Sequence, residues 1–387
     1  MKILSLSDLK ETGGASIAKT RIASSFQDLG HDVVTVSSDG AWEEEHSVLS
    51  HGKKFDFLSL FFQRHPPLFK KLRNFGLCKH LCFILNEQKP DIIHIHNLHS
   101  TTWPLSLVTT ALKFAPVFWT LHDCFSFSGS FCPTHTPPPK DDFLNEIKSF
   151  WHDLDNLKNS HSLTGVAPSN WIKSEACNSN WKNSNITKIH NPIPNSYFEQ
   201  IDQFGCKKAL GLKDGKPTIL FISGNLNAEH KGGWMIEEII RTIPPNKVQF
   251  LLVGDGCPNV SNSWNVRHIG FIQDEITLQF AYNAADILIH PAPIDNLPNT
   301  VAESMSCGTP VLAFKTGGIP EMIVPDKSGW LVDKICNELL VEKLLSILAL
   351  QKYKDIRTSV KQHARNLFDQ KLIANQYLDI FNSNLLN

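Results

Sequence analysis

Short apolar strands alternate with helical segments through most of this 387-residue chain, and that alternation limits the possible fold more than any other feature. Residues 2–7 form a predicted strand, a glycine turn follows, and residues 15–29 carry helical periodicity before a β-branched strand at 33–36. Further strands are predicted at 92–95, 117–121 and 163–167. Because these strands are apolar on both faces, they indicate a parallel sheet that helices cover on both sides.

The same pattern restarts in the second half of the chain. Strands are predicted at 218–223, 249–253, 268–271, 286–290 and 311–314, with helices at 233–241, 276–285 and 300–306. Pro192 and Pro194, between the two sets, favour a rigid, extended connection. We therefore predict an α/β fold with two doubly wound domains at residues 1–191 and 192–355. The strand-free segment 356–387 is predicted to be helical and to return to the first domain.

The composition excludes several classes of protein. Lys and Arg number 37 against 38 Asp and Glu, a formal net charge of −1, which argues against a protein that coats nucleic acid. The hydrophobic content of 42% is too high for a disordered chain. The start of the chain reaches a carboxylate at Asp8, so no secretory signal is predicted, and no apolar run approaches a membrane span. Nine irregularly spaced cysteines then favour thiols in a reducing cytoplasm.

The segment 290–321 carries the strongest functional pattern. A strand ends at His290, a loop carries Asp295, and a helix begins near Asn299 or Thr300, either of which can cap it. Ligands of open α/β sheets bind at the carboxyl ends of strands, where a helix N-terminus attracts phosphate. Glu303, predicted in the first turn, can accept hydrogen bonds from two neighbouring sugar hydroxyls, and Asp295 can meet a second sugar. The pattern therefore indicates a sugar linked through a diphosphate to a nucleoside.

The same segment resembles the signature of glycosyltransferase family 4. Asp295 and Glu303 are separated by seven residues, and Ser-Met-Ser-Cys-Gly-Thr-Pro-Val and Gly-Gly-Ile-Pro-Glu follow at 304–311 and 317–321. The family usually has Glu where this chain has Asp295. One branch, used in bacterial polysaccharide assembly of the colanic-acid type, has Asp-Asn-Leu-Pro-Asn at this place, as this chain does at 295–299.

The resemblance extends over nearly the whole chain, and it implies both a fold and a donor site. The expected fold is GT-B, in which two Rossmann-like domains face each other across a cleft. The second domain is then expected to bind a nucleotide-sugar donor and the first an acceptor. The residues of this segment assigned to the donor are Asp295, Asn296, Leu297, Asn299, Thr300 and Glu303.

Two further groups are candidates for the donor diphosphate. Gly13 and Gly14 follow the first strand, where glycines leave amides open at a helix start, although the full dinucleotide fingerprint is absent. Lys231 opens a helix after the strand 218–223, and a cation there can neutralise a departing diphosphate. The family usually adds an Arg just after that strand. Here the position reads Asn225, and His230 is the nearest candidate replacement.

Histidines at strand ends are the candidates in the first domain. His122 follows the strand 117–121, and the resemblance implies that it reaches the donor sugar as a catalytic residue, with Asp295 and Lys231. Asp123 either orients that ring or meets the acceptor, and His96 lines the acceptor site. The alternative for each is an ordinary strand-end residue bonded to a loop.

No metal site is predicted, although three patterns resemble one. His94, His96 and His99 lack a nearby carboxylate that would complete a ligand set. Cys124, Cys132 and His135 are loosely spaced and lack a fourth ligand. Asp153-Leu154-Asp155 is formally an Asp-x-Asp triplet, but it falls in a predicted amphipathic helix rather than at a strand end.

Residues 53–85, from Lys53 to Leu85, combine basic and aromatic side chains. The segment has seven Lys or Arg, seven Phe and a single Asp. Such a composition fits an interfacial helix on anionic lipid, or a helical excursion whose phenylalanines face the core.

These inferences together predict a cytoplasmic, metal-independent, retaining glycosyltransferase that uses no cofactor. If residues 53–85 bind lipid, the enzyme is expected at the inner face of the cytoplasmic membrane. Its acceptor would be a hydroxyl of a glycan or a lipid-linked saccharide. A GT-B sugar-nucleotide epimerase and a catalytically inactive donor-binding scaffold are the alternatives, the second because of Asn225. The sequence leaves the donor base, uridine or guanosine, undecided.

Overall fold

The computed structural model describes residues 1–10, 13–37, 66–100, 103–129, 141–157, 160–256, 259–260 and 265–385, with backbone only at 66–69 and 141–143. The chain forms two compact units, Met1–Pro192 with Lys371–Asn387, and Ile193–Gln370. None of the helices within these described residues is long and apolar enough to span a membrane.

Each unit contains a six-stranded, parallel sheet. The strands of the first sheet are β1 (Lys2–Leu6), β2 (Asp32–Val36), β3 (Ile92–Ile95), β4 (Val117–Thr120), β5 (Leu163–Ala167) and β6 (Asn185–Lys188). Those of the second are β7 (Thr218–Asn225), β8 (Gln249–Asp255), β9 (Val266–His268), β10 (Ile287–His290), β11 (Val311–Phe314) and β12 (Gly329–Val332). Two of these strands, β6 and β12, were not predicted, and β9 begins and ends earlier than the predicted strand at 268–271.

Helices connect the strands, as parallel pairing requires. Those in the described residues are α1 (Gly14–Asp28), α2 (Pro66–Gln88), α3 (Ser106–Ala111), α4 (Phe125–Ser128), α5 (Asp141–Asp155), α6 (Asn170–Cys177), α7 (Gln203–Ala209), α8 (Gly233–Thr242), α9 (Glu275–Ala284), α10 (Asn299–Ser306), α11 (Asn337–Ala349), α12 (Arg357–Phe368) and α13 (Gln370–Leu385).

Both faces of each sheet are buried, which explains why the strands are apolar throughout. Successive residues of β1 enter different cores: Ile3 packs with α1 and α13, and Leu4 packs with α2 and α3. In β7, Leu220 packs with α9, α10 and α12, whereas Phe221 packs with α8 and α11. Alternate side chains of a strand point to opposite faces, so a strand covered on both sides must be apolar at every position.

The predicted return of the chain at residue 356 is wrong. Helix α12 belongs to the second unit, because Val360, Ala364 and Phe368 are buried in the core that α10 also lines. These three residues repeat every four positions and therefore lie on one face of the helix. Only α13 joins the first unit, where Tyr377 and Phe381 are buried against β1 and β4.

The strand order gives each sheet one switch point, where successive strands are added in the opposite direction. The second sheet runs β12-β11-β10-β7-β8-β9, so successive strands leave β7 in opposite directions and its switch point lies between β7 and β10. The first sheet runs β2-β1-β3-β4-β5-β6, and its switch point lies between β1 and β3. Ligands of doubly wound sheets bind outside the carboxyl ends of the strands at these points.

Candidate active site

The loops after β7 and β10 meet at the switch point of the second sheet. Lys231 lies in a short 3-10 turn after β7, and Asp295 lies in the loop that follows β10. Nζ of Lys231 is 2.6 Å from Oδ2 of Asp295. Two residues 64 positions apart in sequence, both predicted for the donor site, are therefore in direct contact.

Two glycines explain how these loops come so close. Gly232 has a φ of +74°, and a Cβ there would lie 2.1 Å from the carbonyl oxygen of Pro291. Gly317 has a φ of +58°, and its Cβ would lie 1.9 Å from the carbonyl oxygen of Asp295. A side chain is excluded at both positions by conformation and by space. The backbone itself therefore fixes where Lys231 and Asp295 stand.

The carboxylate of Asp295 stays ionised although most of it is buried. Burial raises the pKa of a carboxyl group, but the charge of Lys231 and the contact with His290 together hold the pKa of Asp295 well below its ordinary value. Nε2 of His290 lies 3.5 Å from Oδ2 of Asp295. Burial, followed by the charge of Lys231, lowers the pKa of His230. His230 is thus neutral at neutral pH, which argues against it as the replacement for the missing arginine cation.

Glu303 lies beyond the first turn of α10, not within it as predicted, and it is 5% exposed. Its Oε2 accepts a hydrogen bond of 2.6 Å from the hydroxyl of Tyr282, a fully buried residue of α9. Burial, followed by the negative charge of Glu303, raises the pKa of Tyr282, so the hydroxyl stays protonated and donates. Sequence reasoning missed Tyr282 because helical periodicity reveals a buried face but not the side chain that this face meets.

The other predicted donor-binding residues of β7 and the β10 loop differ in how exposed their side chains are to a ligand. Asn225 is exposed at the end of β7, and its Oδ1 accepts a hydrogen bond of 2.9 Å from the backbone N–H of Asn227. Asn296 is buried, at 9% exposure. The side chain of Leu297 packs in the hydrophobic core, so only its backbone is available to a ligand.

Asn299 and Thr300 open α10, as predicted, but neither caps it. The N-cap position belongs to Pro298, which has no side-chain hydrogen bond to the helix. The prediction of an Asn or Thr cap is therefore wrong, because the helix begins one residue earlier than a capping Asn299 requires. The first turn of α10 points its backbone N–H groups toward the start of the helix, as in any α-helix.

In the first unit, Gly13 and Gly14 follow β1 at the switch point. Gly13 is the N-cap of α1 and has a φ of +88°, and α1 begins at Gly14. No atom lies within 4 Å of a Cβ built at Gly13, so the positive φ rather than crowding accounts for the glycine. The neighbouring Thr12, part of the family resemblance, lies outside the described residues.

Histidines at the ends of β3 and β4 form a cluster. His94 lies in β3, His96 follows it, and His122 follows β4. Nδ1 of His96 is 3.0 Å from Nε2 of His122, and the ring centroids of His94 and His96 are 4.2 Å apart. His96, predicted to line the acceptor site, is 1% exposed and contacts His122 instead. His122 itself is half-buried and borders the same small cavity as Asp123.

The carboxylate of Asp123 lies against His99. Oδ2 of Asp123 is 3.4 Å from Nε2 of His99, and Oδ1 accepts a hydrogen bond of 2.9 Å from the backbone N–H of Phe125. Burial raises the pKa of Asp123, and the charge of His99 opposes this effect. Both predicted roles of Asp123, orienting the ring of His122 and meeting the acceptor, stay predictions.

A buried hydrogen-bonded line leads from this cluster to α13. Nε2 of His94 is 2.7 Å from Oγ1 of Thr120, which is 3.2 Å from the hydroxyl of Tyr377. Burial, followed by the charge of a neighbouring histidine, lowers the pKa of His94 and of His122 to about 3, and burial lowers that of His96 as well. All three rings of the cluster are therefore neutral at neutral pH.

In the described ranges, no group of three or more His, Cys, Asp or Glu side chains is arranged to hold a metal ion. The candidate ligands Cys132 and His135 lie outside those ranges. Asp153 and Asp155 lie in α5, which confirms that this Asp-x-Asp triplet is helical.

The basic, aromatic segment 53–85 is described from residue 66 onward, and its earlier part lies outside the described residues. Helix α2 exposes Leu72, Phe75 and Phe83, at 50%, 69% and 62%. Lys71 and Lys79 are exposed on the same helix. Other apolar residues of α2 are buried in the core, but Phe75 and Phe83 are not, so the interpretation that the phenylalanines face the core is wrong for these two.

Two family profiles match the chain, one on each unit. The profile described as Glycosyltransferase Family 4 matches residues 12–196, and the profile described as Glycosyl transferases group 1 matches residues 216–349. A putative colanic acid biosynthesis glycosyl transferase of Escherichia coli K12 is 24% identical over 68% of this chain and 67% of its own.

Solved structures share the fold over the full length. Sucrose-phosphate synthase from Thermosynechococcus elongatus is 18% identical, with a TM-score of 0.78 over 99% of this chain and 98% of its own. HepE of Anabaena, solved in complex with UDP-glucose, is 20% identical, with a TM-score of 0.71 over 99% of this chain and 100% of its own. Both profiles and the two parallel sheets lead to one conclusion: the chain belongs to glycosyltransferase family 4 and is a glycosyltransferase of the GT-B fold.

Proposed function

We propose that this glycosyltransferase moves a sugar from a nucleoside-diphosphate sugar to a hydroxyl of a glycan or lipid-linked saccharide. The observation that carries the proposal is the contact of Lys231 with Asp295 at the switch point of the second sheet. A cation held there stabilises the negative charge that develops on a departing diphosphate. The UDP-glucose bound to HepE supports a nucleotide-sugar donor, and the colanic acid relative supports a polysaccharide acceptor.

In the second unit, we assign a protein group to each part of the nucleotide-sugar: the ribose, the diphosphate and the sugar. Glu303, fixed by Tyr282, accepts hydrogen bonds from the ribose hydroxyls. Lys231 and the backbone N–H groups of Asn299 and Thr300 bind the diphosphate. The ionised carboxylate of Asp295 holds Lys231 and accepts a hydrogen bond from the donor sugar.

In the first unit, Gly14 and His122 are the proposed donor contacts, and Asp123 is the proposed acceptor contact. Gly14 starts α1 at the switch point of the first sheet, where its backbone N–H can bind a phosphate oxygen. His122 is half-buried after β4 and lines the same small cavity as Asp123.

The proposed reaction retains the configuration at the anomeric carbon. The acceptor oxygen forms its bond to that carbon on the face from which the diphosphate leaves, while the bond between the carbon and the phosphate oxygen breaks. The acceptor proton passes to the departing phosphate oxygen, so no protein nucleophile is required. Lys231 supplies positive charge to the leaving group, and we expect turnover to persist in the presence of EDTA.

The central test is the substitution Glu303→Ala. A thermal-shift screen with UDP- and GDP-linked sugars first identifies the donor, and turnover is then measured with a glycan extract as acceptor. We expect Glu303→Ala to lose about 10²-fold or more in donor turnover without unfolding the protein. Glu338→Gln, which changes an exposed carboxylate of the same unit, is the matched control. An unchanged rate in Glu303→Ala would contradict the proposal that Glu303 binds the ribose.

The same assay separates the two alternatives. A sugar-nucleotide epimerase isomerises the donor when no acceptor is present, and a transferase does not. A scaffold binds the donor but neither hydrolyses it nor transfers it to any acceptor. The anomeric configuration of the product, read by NMR, tests whether the transfer is retaining.

We also propose that α2 rests on an anionic membrane surface while a lipid-linked acceptor is used. Leu72, Phe75 and Phe83 supply exposed apolar area, and Lys71 and Lys79 supply positive charge beside it. This pairing of apolar and basic side chains is what an interfacial helix requires. The nearby Lys70 forms an ion pair of 2.9 Å with Glu146 and contributes less free charge.

Vesicle flotation tests this surface. The full chain should float with vesicles that contain anionic phospholipid and stay at the bottom with purely zwitterionic vesicles. Phe75→Ser combined with Phe83→Ser should abolish flotation. The matched control is Phe204→Ser with Phe271→Ser, which removes two phenylalanines of similar exposure from the second unit. Equal flotation of both double variants would contradict the proposal.

A further inference from the structure

The ring of His122 is held by a buried neighbour to which the proposed reaction gives no role. His96 is 1% exposed and places Nδ1 3.0 Å from Nε2 of His122. The two rings are nearly parallel, with an interplanar angle of 19°. His94, in β3 just before His96, packs on the ring of His96 and is itself fixed by Thr120. The ring of His96 therefore has little freedom to turn.

A single proton lies between the two facing nitrogens. Both rings are neutral at neutral pH, because burial and the surrounding histidines lower both pKa values. A neutral imidazole carries one N–H and one acceptor nitrogen. Either His96 donates from Nδ1 to Nε2 of His122, or His122 donates in the opposite direction.

The surroundings of the second nitrogen of His96 distinguish these arrangements. Nε2 of His96 is buried and makes no hydrogen bond to any residue in the described part of the chain. If His122 donated, His96 would carry its proton on Nε2, as a buried N–H without an acceptor. If His96 donates, Nε2 is left with only a lone pair. Buried N–H groups without a partner are rarer in proteins than buried acceptors without one.

We infer that His96 donates from Nδ1 to Nε2 of His122 and so fixes His122 in the tautomer protonated at Nδ1. In that tautomer, any ligand group that reaches Nδ1 of His122 meets an N–H group, not a lone pair. Such a group donates a hydrogen bond to a sugar hydroxyl or a phosphate oxygen, and it cannot accept the acceptor proton. His96 is thus a positioning residue, and the catalytic part of this inference rests on the role proposed for His122.

The tautomer can be measured without any activity. The full chain is labelled with ¹⁵N-histidine, and a long-range ¹H–¹⁵N correlation spectrum at neutral pH separates protonated from unprotonated ring nitrogens. The signals of His122 are identified by their loss in His122→Asn. We expect a protonated Nδ1 and an unprotonated Nε2. The opposite assignment would overturn the inference whatever the enzymatic rate.

Two substitutions of His96 then test positioning. His96→Asn keeps a carboxamide N–H at the distance of Nδ1 from the backbone, whereas His96→Leu removes the donor. We expect His122 to hold its tautomer in His96→Asn and to show a mixture of both in His96→Leu. His161→Asn, an exposed histidine of the same unit, is the matched control and should change neither signal.

Turnover separates this inference from the proposed function. We expect kcat to fall a few-fold in His96→Leu, about as much as the fraction of His122 protonated at Nδ1 falls, with recovery of most of it in His96→Asn and little change in donor KM. An unchanged tautomer in a folded His96→Leu would overturn the positioning role. A mixed tautomer with unchanged turnover would uphold that role and count instead against a catalytic His122.

Discussion

The hydrogen bond between Tyr282 and Glu303 connects a buried tyrosine to the carboxylate that is proposed to bind ribose. Both side chains are buried, at 0% and 5% exposure, and the hydroxyl-to-carboxylate distance is 2.6 Å. A hydrogen bond to a charged group contributes about 1.5–3 kcal/mol, and it also fixes the direction of the acceptor. The position of Glu303 therefore depends on a residue that no donor would touch.

Tyr282→Phe should weaken the preference for ribose. The substitution removes one oxygen atom and keeps the ring that packs in the core. Its main effect is therefore the loss of the hydrogen bond that holds the carboxylate of Glu303. We expect affinity for the nucleoside diphosphate to fall about tenfold, which corresponds to about 1.4 kcal/mol. Affinity for the 2′-deoxy analogue should fall less, because it makes fewer contacts to Glu303. Isothermal titration calorimetry with both nucleotides measures the two affinities.

Tyr353→Phe is the control for that experiment, since Tyr353 is a second buried tyrosine of the same unit. It should leave both affinities unchanged. An equal loss of affinity for the two nucleotides in Tyr282→Phe would show a general disturbance of the fold rather than a ribose contact.

The sequence could place Lys231 and Asp295 after neighbouring strands because both strands are clearly apolar. Lys231 and Asp295 lie in loops after β7 and β10, and both strands were predicted within a few residues. The contacts of Tyr282 and His96 could not be predicted in the same way. Both depend on how neighbouring elements are rotated and aligned, which the period of a single helix or strand does not contain.

At the scale of elements, the strands β6 and β12 were not predicted, for different reasons. β6 reads Asn-Ile-Thr-Lys and lies at the edge of the first sheet, where one neighbour suffices and polar side chains reach solvent. β12 begins with a glycine and forms the edge of the second sheet. Its Trp330 and Val332 are buried, so β12 is apolar, but three apolar residues after a glycine are too short a run to distinguish a strand from a loop.

The last two helices stabilise different units, although they are adjacent in sequence. Phe368 ends α12 and is buried in the core of the second unit, and Phe381 in α13 is buried against Phe26 and Phe118 in the first. Their division after residue 370 was not predicted, because the whole strand-free segment was predicted to be helical and only packing partners show which unit each helix joins.

Phe381→Ala and Phe368→Ala should therefore destabilise different halves of the chain. Each removes a fully buried ring, and a loss of about 3–5 kcal/mol of unfolding free energy is typical of such a change. Hydrogen exchange followed by mass spectrometry should show faster exchange in β1 and β4 for Phe381→Ala. For Phe368→Ala it should show faster exchange around α10. Faster exchange in the same unit for both variants would contradict this division.

At the scale of the whole molecule, the two units should respond differently to acid. In the folded chain, the pKa values of His94, His96 and His122 lie below the ordinary value of 6.5. As the pH falls below 6.5, the unfolded chain therefore binds more protons than the folded chain. The stability that the neutral rings contribute is complete above pH 6.5 and is lost progressively toward about pH 3. The raised pKa of Asp123 acts in the opposite direction and offsets part of this loss.

The site of the second unit loses most of its contribution at a lower pH than the histidine cluster does. The lowered pKa of Asp295 gives a contribution that is complete above its unfolded value of 3.8 and is lost only as the pH falls below it. The lowered pKa of His230 adds a smaller loss at mildly acidic pH, because that ring is less buried than His94 or His96. Between pH 7 and pH 5, acid should therefore act mainly on the first unit.

Differential scanning calorimetry of the full chain at pH 7, 6 and 5 measures this difference, with the two transitions assigned by Phe381→Ala and Phe368→Ala. Below pH 6.5 each buried histidine should cost about 1.4 kcal/mol of unfolding free energy per pH unit, so the transition temperature of the first unit should fall steeply with pH.

His94→Gln keeps a group that can bond Thr120 but cannot take up a proton, and it should reduce the pH slope of the unfolding free energy by about one proton. His161→Gln, at an exposed position, should leave the slope as it is. If the two transitions fell in parallel, or if His94→Gln left the slope unchanged, the buried histidines would not be the groups that sense acid.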